Sequence, residues 1–253
     1  MVSVTWLGHS AAVLEMGGVR LMTDPLLRPY AAGVLRRRDG APDRRHLRGI
    51  DAVLLSHLHH DHADLRSLRM LDPVPILTAP RNAAWLRRRG LRGVSLEGWT
   101  DLGGVDVLPV PAVHQSRPMP HRPNDALGHL VRSASESVWA AGDTSLYDAM
   151  RELPTWAGRD CIDVVLVPIG GWGPRLSPGH MGPEEAAVAC AATRARFAIP
   201  VHWGTFHVPP IGRFGDWMDR PADLFADALS RIAPGCTLVR LRPGETCESV
   251  LDR

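Results

Sequence analysis

The chain has 253 residues, 45% of them hydrophobic, and a formal net charge of +2 at pH 7. That length and apolar content suffice for a full core, and one domain spanning 1–253 is the expectation. So small a net charge excludes an overall electrostatic case for nucleic-acid binding, and no apolar run reaches membrane-spanning length.

Met1 leads straight into strand-like sequence with no leader peptide, which predicts a cytoplasmic protein. The four cysteines, Cys161, Cys190, Cys236 and Cys247, form no Cys-x-x-Cys pair and read as reduced, buried thiols. All 29 basic residues are arginine, which is not evidence of function. The sequence does not fix an assembly state, and a homo-oligomer is compatible with it.

Residues 2–6 alternate as a strand and end in Leu7-Gly8-His9-Ser10. Residues 11–16 and 19–22 then flank Gly17-Gly18 as a hairpin closed by Thr23-Asp24-Pro25. On local grounds Asp24 caps its turn and His9 packs nearby. Residues 26–49 have no apolar period and carry Arg36-Arg37-Arg38 and Arg44-Arg45-His46-Leu47-Arg48. A solvated insertion is the favoured reading, because charge runs usually face water. A basic flap that captures phosphate or carboxylate through arginine forks is the other.

Residues 51–55 form a short apolar run that reads as a buried strand. It delivers Ser56-His57-Leu58-His59-His60-Asp61-His62, with four potential metal ligands in six positions. At the end of an extended segment His57 and His59 point to one side. Asp61 and His62 open the next element, whose residues 63–71 have helical apolar spacing. Imidazoles and a carboxylate at this density suit zinc, manganese or iron, and two ions as readily as one. The bland alternative is a solvated histidine loop.

Further along, residues 74–78 are strand-like, 82–89 helical and 93–96 strand-like; Arg87-Arg88-Arg89 complements a helix dipole without needing a ligand. Residues 105–110 form a strand leading to His114. The Pro-rich stretch 117–124 is expected to wall a pocket, with Arg117, His121 and Arg122 either anion-binding candidates or, with equal weight, solvated loop residues. Residues 127–132 and 137–141 form a hairpin ending in Gly142-Asp143-Thr144, where Asp143 also suits the N-cap of a helix over 145–152. Residues 162–168 are a buried strand, followed by a loop containing Trp172. His180 precedes a helix opened by Pro183 with acids near its positive end. Residues 197–201 form a strand that delivers His202-Trp203-Gly204-Thr205-Phe206, then His207. An amphipathic helix over 220–232 and a strand over 237–241 complete the chain.

His-x-His-x-Asp-His after a buried strand resembles the signature of the metallo-β-lactamase superfamily. The opening Trp-Leu-Gly-His-Ser with Thr-Asp-Pro, and His-Trp-Gly-Thr-Phe later, most resemble the branch containing ascorbate-6-phosphate lactonases and N-acyl-phosphatidylethanolamine phospholipase D. The resemblance implies an α/β (α+β) fold, a four-layered αββα sandwich with a dinuclear metal site along one edge. By resemblance His57, His59 and His114 hold one ion, Asp61, His62 and His202 the other, and Asp143 lies between. His9 and Asp24 would stand close to the metals without coordinating them. Asp61 would orient the nucleophile, and His180 would contact substrate or transfer a proton. Arg117, His121, Arg122, Trp172, Trp203 and His207 would line the pocket.

Two divalent ions, zinc first and manganese or iron also compatible, make hydroxide available at neutral pH. Hydrolysis of a small anionic substrate follows, as a phosphodiesterase or a lactonase acting on a phosphorylated lactone or ester. Hydrolysis of a plain lactone or carboxylic ester is the alternative on the same site. Outside hydrolysis stand a di-iron redox protein and a nucleic-acid processing or binding module. The first usually carries a Glu where this chain has His59, and the second would want an extended basic face.

Overall fold

The structure, a computed structural model, describes residues 2–31, 35–114, 121–171, 175–207 and 218–247. Two seven-stranded sheets face one another among these residues. The first has the order Thr246–Cys247, Ser3–Gly8, Ala11–Met16, Val19–Thr23, Ala52–Leu54, Ile76–Thr78, Gly93–Ser95. The second has the order Thr237–Leu238, Phe197–Val201, Val164–Pro168, Ser137–Ala140, Leu127–Arg132, Asp106–Pro111, Thr100–Asp101.

Side-chain alternation divides the first sheet between two cores. Val4, Trp6, Ala12, Leu14, Leu21, Leu54 and Leu77 join the second sheet's Val107, Leu130 and Trp139 in the core between the sheets. Their neighbours Ala11, Val13, Met22, Val53 and Ile76 face outward onto Trp85 and Leu86 of the helix Pro80–Arg87. Both faces are therefore covered, which is why these strands read as unbroken apolar runs rather than polar–apolar alternation. On the far side, helices Pro183–Ala192 and Arg220–Ile232 pack on each other, and Pro183–Ala192 also packs on Val164–Pro168. The layer order is helix, sheet, sheet, helix, the expected αββα sandwich. Among the described residues no helix is long and apolar enough to cross a membrane.

Four local expectations need correction. Helical residues after the histidine turn are confined to Leu65–Leu68, which Asp64 caps by accepting the Ser67 N–H at 3.1 Å. The helix expected over 145–152 begins only at Asp148, as a 3-10 turn Asp148–Glu152 followed by Leu153–Ala157. A bridge between Val113 and Ser145 holds the start of that stretch extended, so Asp143 caps no helix. The final strand is shorter than expected, Thr237–Leu238. Segment 26–49 is not structureless: it contains strands Tyr30–Ala31 and Leu35–Arg37 and the 3-10 turn Arg44–Leu47. Leu35–Arg37 pairs with Phe206–His207 in a small third sheet.

The parallel pairings of Val19–Thr23 with Ala52–Leu54, and of Ser137–Ala140, Val164–Pro168 and Phe197–Val201, bring many carboxyl ends to one edge. Ligands in open α/β sheets gather beyond such ends. Here those ends lead into His9, Asp24, His57, His114, Asp143 and His202.

Candidate metal centre

Ligand-type atoms converge in two adjoining nests. In one, His59 Nδ1 lies 2.9 Å from His57 Nε2 and 3.0 Å from His114 Nε2. In the other, Asp61 Oδ2 lies 3.0 Å from His9 Nε2, 3.4 Å from His62 Nε2 and 3.5 Å from His202 Nε2. Asp143 joins the two: its Oδ2 is 3.1 Å from His62 Nε2, 3.4 Å from His202 Nε2 and 3.9 Å from His57 Nε2. His180 approaches the same oxygen, with Nε2 at 3.3 Å.

Outer partners set the direction of the rings. Asp24 accepts the Ser56 N–H at 2.7 Å on Oδ1 and the Ser56 hydroxyl at 2.7 Å on Oδ2. Ser56 Oγ in turn lies 2.9 Å from His57 Nδ1, and Asp24 Oδ2 lies 2.8 Å from His62 Nδ1. His114 Nδ1 is 2.8 Å from the Gly179 carbonyl. Each of these oxygens takes an Nδ1 proton, which fixes the tautomer that turns an Nε2 lone pair inward. Gly142 permits the approach of Asp143, since a Cβ there would sit 2.6 Å from Ser56 Cβ. Among the described residues four non-glycine residues have positive φ. Three of them border this centre: His9 at 53°, Asp24 at 30° and His202 at 64°. Left-handed backbone at such residues is a stored cost that concentrates at functional sites.

The two nests differ electrically. Burial pushes His57 well below the ordinary imidazole value, with His62 adding to the effect; burial takes His59 to about 4 and lowers His114. Burial would also lower His62 and His202, but carboxylates prevail. Asp143, Asp61 and Asp24 lift His62 well above its ordinary value, and Asp143 with Asp61 lifts His202 to about 9. Asp61 and Asp143, although buried, are held well below the carboxylate range, led by His62 and His202 respectively. Without metal, protons on His62 and His202 supply the positive charge these carboxylates need.

The residues present fit divalent ions. Asp143 Oδ1 is buried without a hydrogen-bond partner, an expensive state for a carboxylate oxygen unless a cation takes its lone pairs. Imidazole and carboxylate together are the ligand set of zinc, manganese and iron. A buried centre that polarises an acyl or phosphoryl oxygen and deprotonates water is what such a set can build.

The fold thus brings His57, His59, Asp61, His62, His114, Asp143, His180 and His202 into one cluster, with His9 on Asp61 and Asp24 behind His62. Other expected pocket residues lie elsewhere. Arg122, an expected anion-binding candidate, donates from Nη1 to Leu58 O at 2.9 Å and Ala63 O at 3.2 Å, and so braces the histidine turn. Trp203 stacks on Trp6 with centroids 5.4 Å apart and lines a cavity of about 640 Å³ with Arg240 and Arg242 that no metal-cluster residue lines. His207 stands opposite Arg36 in the third sheet, and the exposed His121 ring lies 6.3 Å from His60. Arg117 and Trp172 lie outside the described residues. Sequence reasoning missed Ser56 and Asn124. The Asn124 side chain accepts the Leu58 N–H at 2.7 Å, and its amide nitrogen is 2.9 Å from His59 Nε2. The His59 contact is with a residue 65 positions away, so no local pattern announces it.

A protein-family model described as the beta-lactamase superfamily domain matches residues 19–203. The chain is 30% identical over 266 residues to a UPF0173 metal-dependent hydrolase of Nitratidesulfovibrio vulgaris (strain DP4), covering 99% of this chain and 95% of that protein. Among solved structures, Igni18, a metallo hydrolase from Ignicoccus hospitalis KIN4/I, matches with a TM-score of 0.73 and 21% identity over 97% of each chain. CmlA, a diiron β-hydroxylase from Streptomyces venezuelae, matches with a TM-score of 0.71 and 18% identity, covering 97% of this chain and 54% of that one. At such identities the two structures establish a shared fold only, and that fold hosts more than one chemistry.

Proposed function

The chain belongs to the metallo-β-lactamase superfamily, and from that premise we propose that it hydrolyses a small anionic phosphodiester or phosphorylated lactone at a site for two divalent ions, zinc first. It is a metal-dependent hydrolase; the number of ions, the ligand roles and the bond cleaved are this reading's own. The carrying observation is Asp143 Oδ2, which lies 3.9 Å from His57 Nε2 on one side and 3.1 Å and 3.4 Å from His62 and His202 Nε2 on the other. One carboxylate between two nests is the arrangement that bridges a pair of cations.

His57, His59 and His114 would hold one ion; Asp61, His62 and His202 the other, with Asp143 shared. Ions so held would supply hydroxide at neutral pH and electrophilic stabilisation of developing negative charge. Asp61 orients the attacking water, and His9 steadies Asp61 from behind at 3.0 Å. His180 stands at the partly exposed rim, its Nδ1 3.1 Å from the Ser177 carbonyl, so that Nε2 serves the leaving oxygen. The phosphorylated substrate class follows from the resemblance to the ascorbate-6-phosphate lactonase branch. A plain lactone or carboxylic ester is the second reading, supported by the two backbone carbonyls that already occupy Nη1 of Arg122, one of the candidate phosphate ligands.

The test combines metal analysis with paired assays. Two ions per chain and chelator-sensitive hydrolysis of a chromogenic phosphodiester, lost in Asp143→Ala, are expected. Faster turnover of an aryl lactone would select the second reading. Less than one ion per chain after incubation with zinc or manganese would refute the dinuclear centre.

A further inference from the structure

The arginine-rich segment sends one guanidinium into the interior. Arg37 is 3% exposed, and it donates from Nη1 to Leu7 O at 2.7 Å and from Nη2 to Leu26 O at 2.8 Å. Leu7 lies two positions before His9, and Leu26 two positions after Asp24. The same strand also reaches the His202 turn: Phe206 pairs with Arg37, and the Arg38 N–H donates to Thr205 O at 3.0 Å. Thr205 Oγ1 closes the ring by accepting the His9 N–H at 2.6 Å. All three turns carry a residue in left-handed backbone, His9, Asp24 and His202. Such conformations are costly and persist only where surroundings over-determine them.

We propose that Arg37 is a positioning residue that clasps the turns of His9 and Asp24 and thereby sets the ligand geometry of the metal centre. The inference rests on the metal-centre reading above. One arm of the clasp runs through the Leu7 carbonyl to His9 and so to Asp61. The other runs through the Leu26 carbonyl to Asp24, which holds His62 directly and His57 through Ser56. Only a planar fork spans two carbonyls from separate turns; an ammonium is a point charge and satisfies one geometry at a time. The cavity beside Arg37, about 430 Å³, sets Arg37, Arg45 and Arg242 against Asp39, Asp43 and Glu245. Its wall is charge-balanced, so the guanidinium belongs to its two carbonyls rather than to a free anion.

Metal-stripped wild type, Arg37→Met, Arg37→Lys and Arg36→Gln would be titrated with zinc against a chromophoric chelator and with cobalt followed by absorption. The melting temperature of each metal-free protein is the companion readout. Both Arg37 variants are expected to bind zinc about 10–100-fold more weakly, with altered cobalt spectra, while Arg36→Gln, at an exposed position, matches wild type. The metal-free Arg37→Met protein should melt below wild type, because the Leu7 and Leu26 carbonyls lose their buried donor, so affinities and spectra are compared well below its melting temperature. Wild-type affinity and spectra in the Arg37 variants would overturn the clasp, as would an equal loss in Arg36→Gln. Should Arg37→Met fail to fold, Arg37→Lys decides by the same criteria. A wild type that takes up no metal refutes the centre itself, and the clasp with it.

Discussion

Asp24 Oδ2 lies 2.8 Å from His62 Nδ1 and also accepts the Ser56 hydroxyl, whose oxygen is 2.9 Å from His57 Nδ1. One carboxylate therefore orients a histidine in each nest. Asp24→Asn should weaken zinc binding in both nests, by about 10–100-fold, because an amide cannot accept the same set of protons. Competition with a chelator, read as two affinities, checks this; loss in one nest alone would contradict it.

Proton release on metal uptake should be unequal between the nests. His62 is raised well above its ordinary value and His202 to about 9, so both carry protons at pH 7 before metal binds. Ligation requires neutral imidazole, so about two protons should leave these rings at pH 7, beside the one lost when a bound water becomes hydroxide. The lowered His57, His59 and His114 release none there. As pH rises through about 9 the His202 contribution vanishes. Titration calorimetry in buffers of different ionisation enthalpy measures the number; a buffer-independent enthalpy at pH 7 would rule this out.

Gly142→Ala tests the backbone approach that carries Asp143. The new Cβ would stand 2.6 Å from Ser56 Cβ, on a residue with φ of +63°. Strain and overlap together should cost about 2–4 kcal/mol and displace Asp143. A lowered melting temperature together with a metal stoichiometry below wild type is the expected pair of results.

How much of this was readable in advance differs by residue. His57, His59, Asp61 and His62 sit within six positions, so strand and turn geometry alone brings them near each other. His114, Asp143 and His202 are single residues at strand ends, and only resemblance to a family marked them before the fold gathered them. Arg37 and Arg122 were legible as charge but not as structure. Their partners are backbone carbonyls, Leu7 and Leu26 for one, Leu58 and Ala63 for the other. Carbonyls carry no residue signature, so an arginine that serves them looks like one that awaits an anion.

Acid sensitivity should have a component unrelated to metal. His129 is 1% exposed, and burial lowers it to about 4, with its Nε2 3.2 Å from Leu77 O. Its folded value lies below the unfolded one near 6.5, so the neutral form is favoured in the fold. Its contribution is complete above the unfolded value and is lost as pH falls from there toward about 4. The loss between pH 7 and 4.5 should be about 2–3 kcal/mol in metal-free protein. Denaturant midpoints at the two pH values, with His129→Gln as comparison, measure it; a variant with the same pH slope as wild type would sink the assignment.

Neither nest is complete within one half of the chain: His57 and His59 need His114 from the far sheet, and Asp61 and His62 need His202. Two ions bound as proposed would rivet the sheets together, with a strength set from outside the polypeptide. Each tenfold rise in free zinc above the dissociation constant would add about 1.4 kcal/mol per site against unfolding. The survival of the protein, as well as its turnover, would then track the metal supply of the cell that makes it.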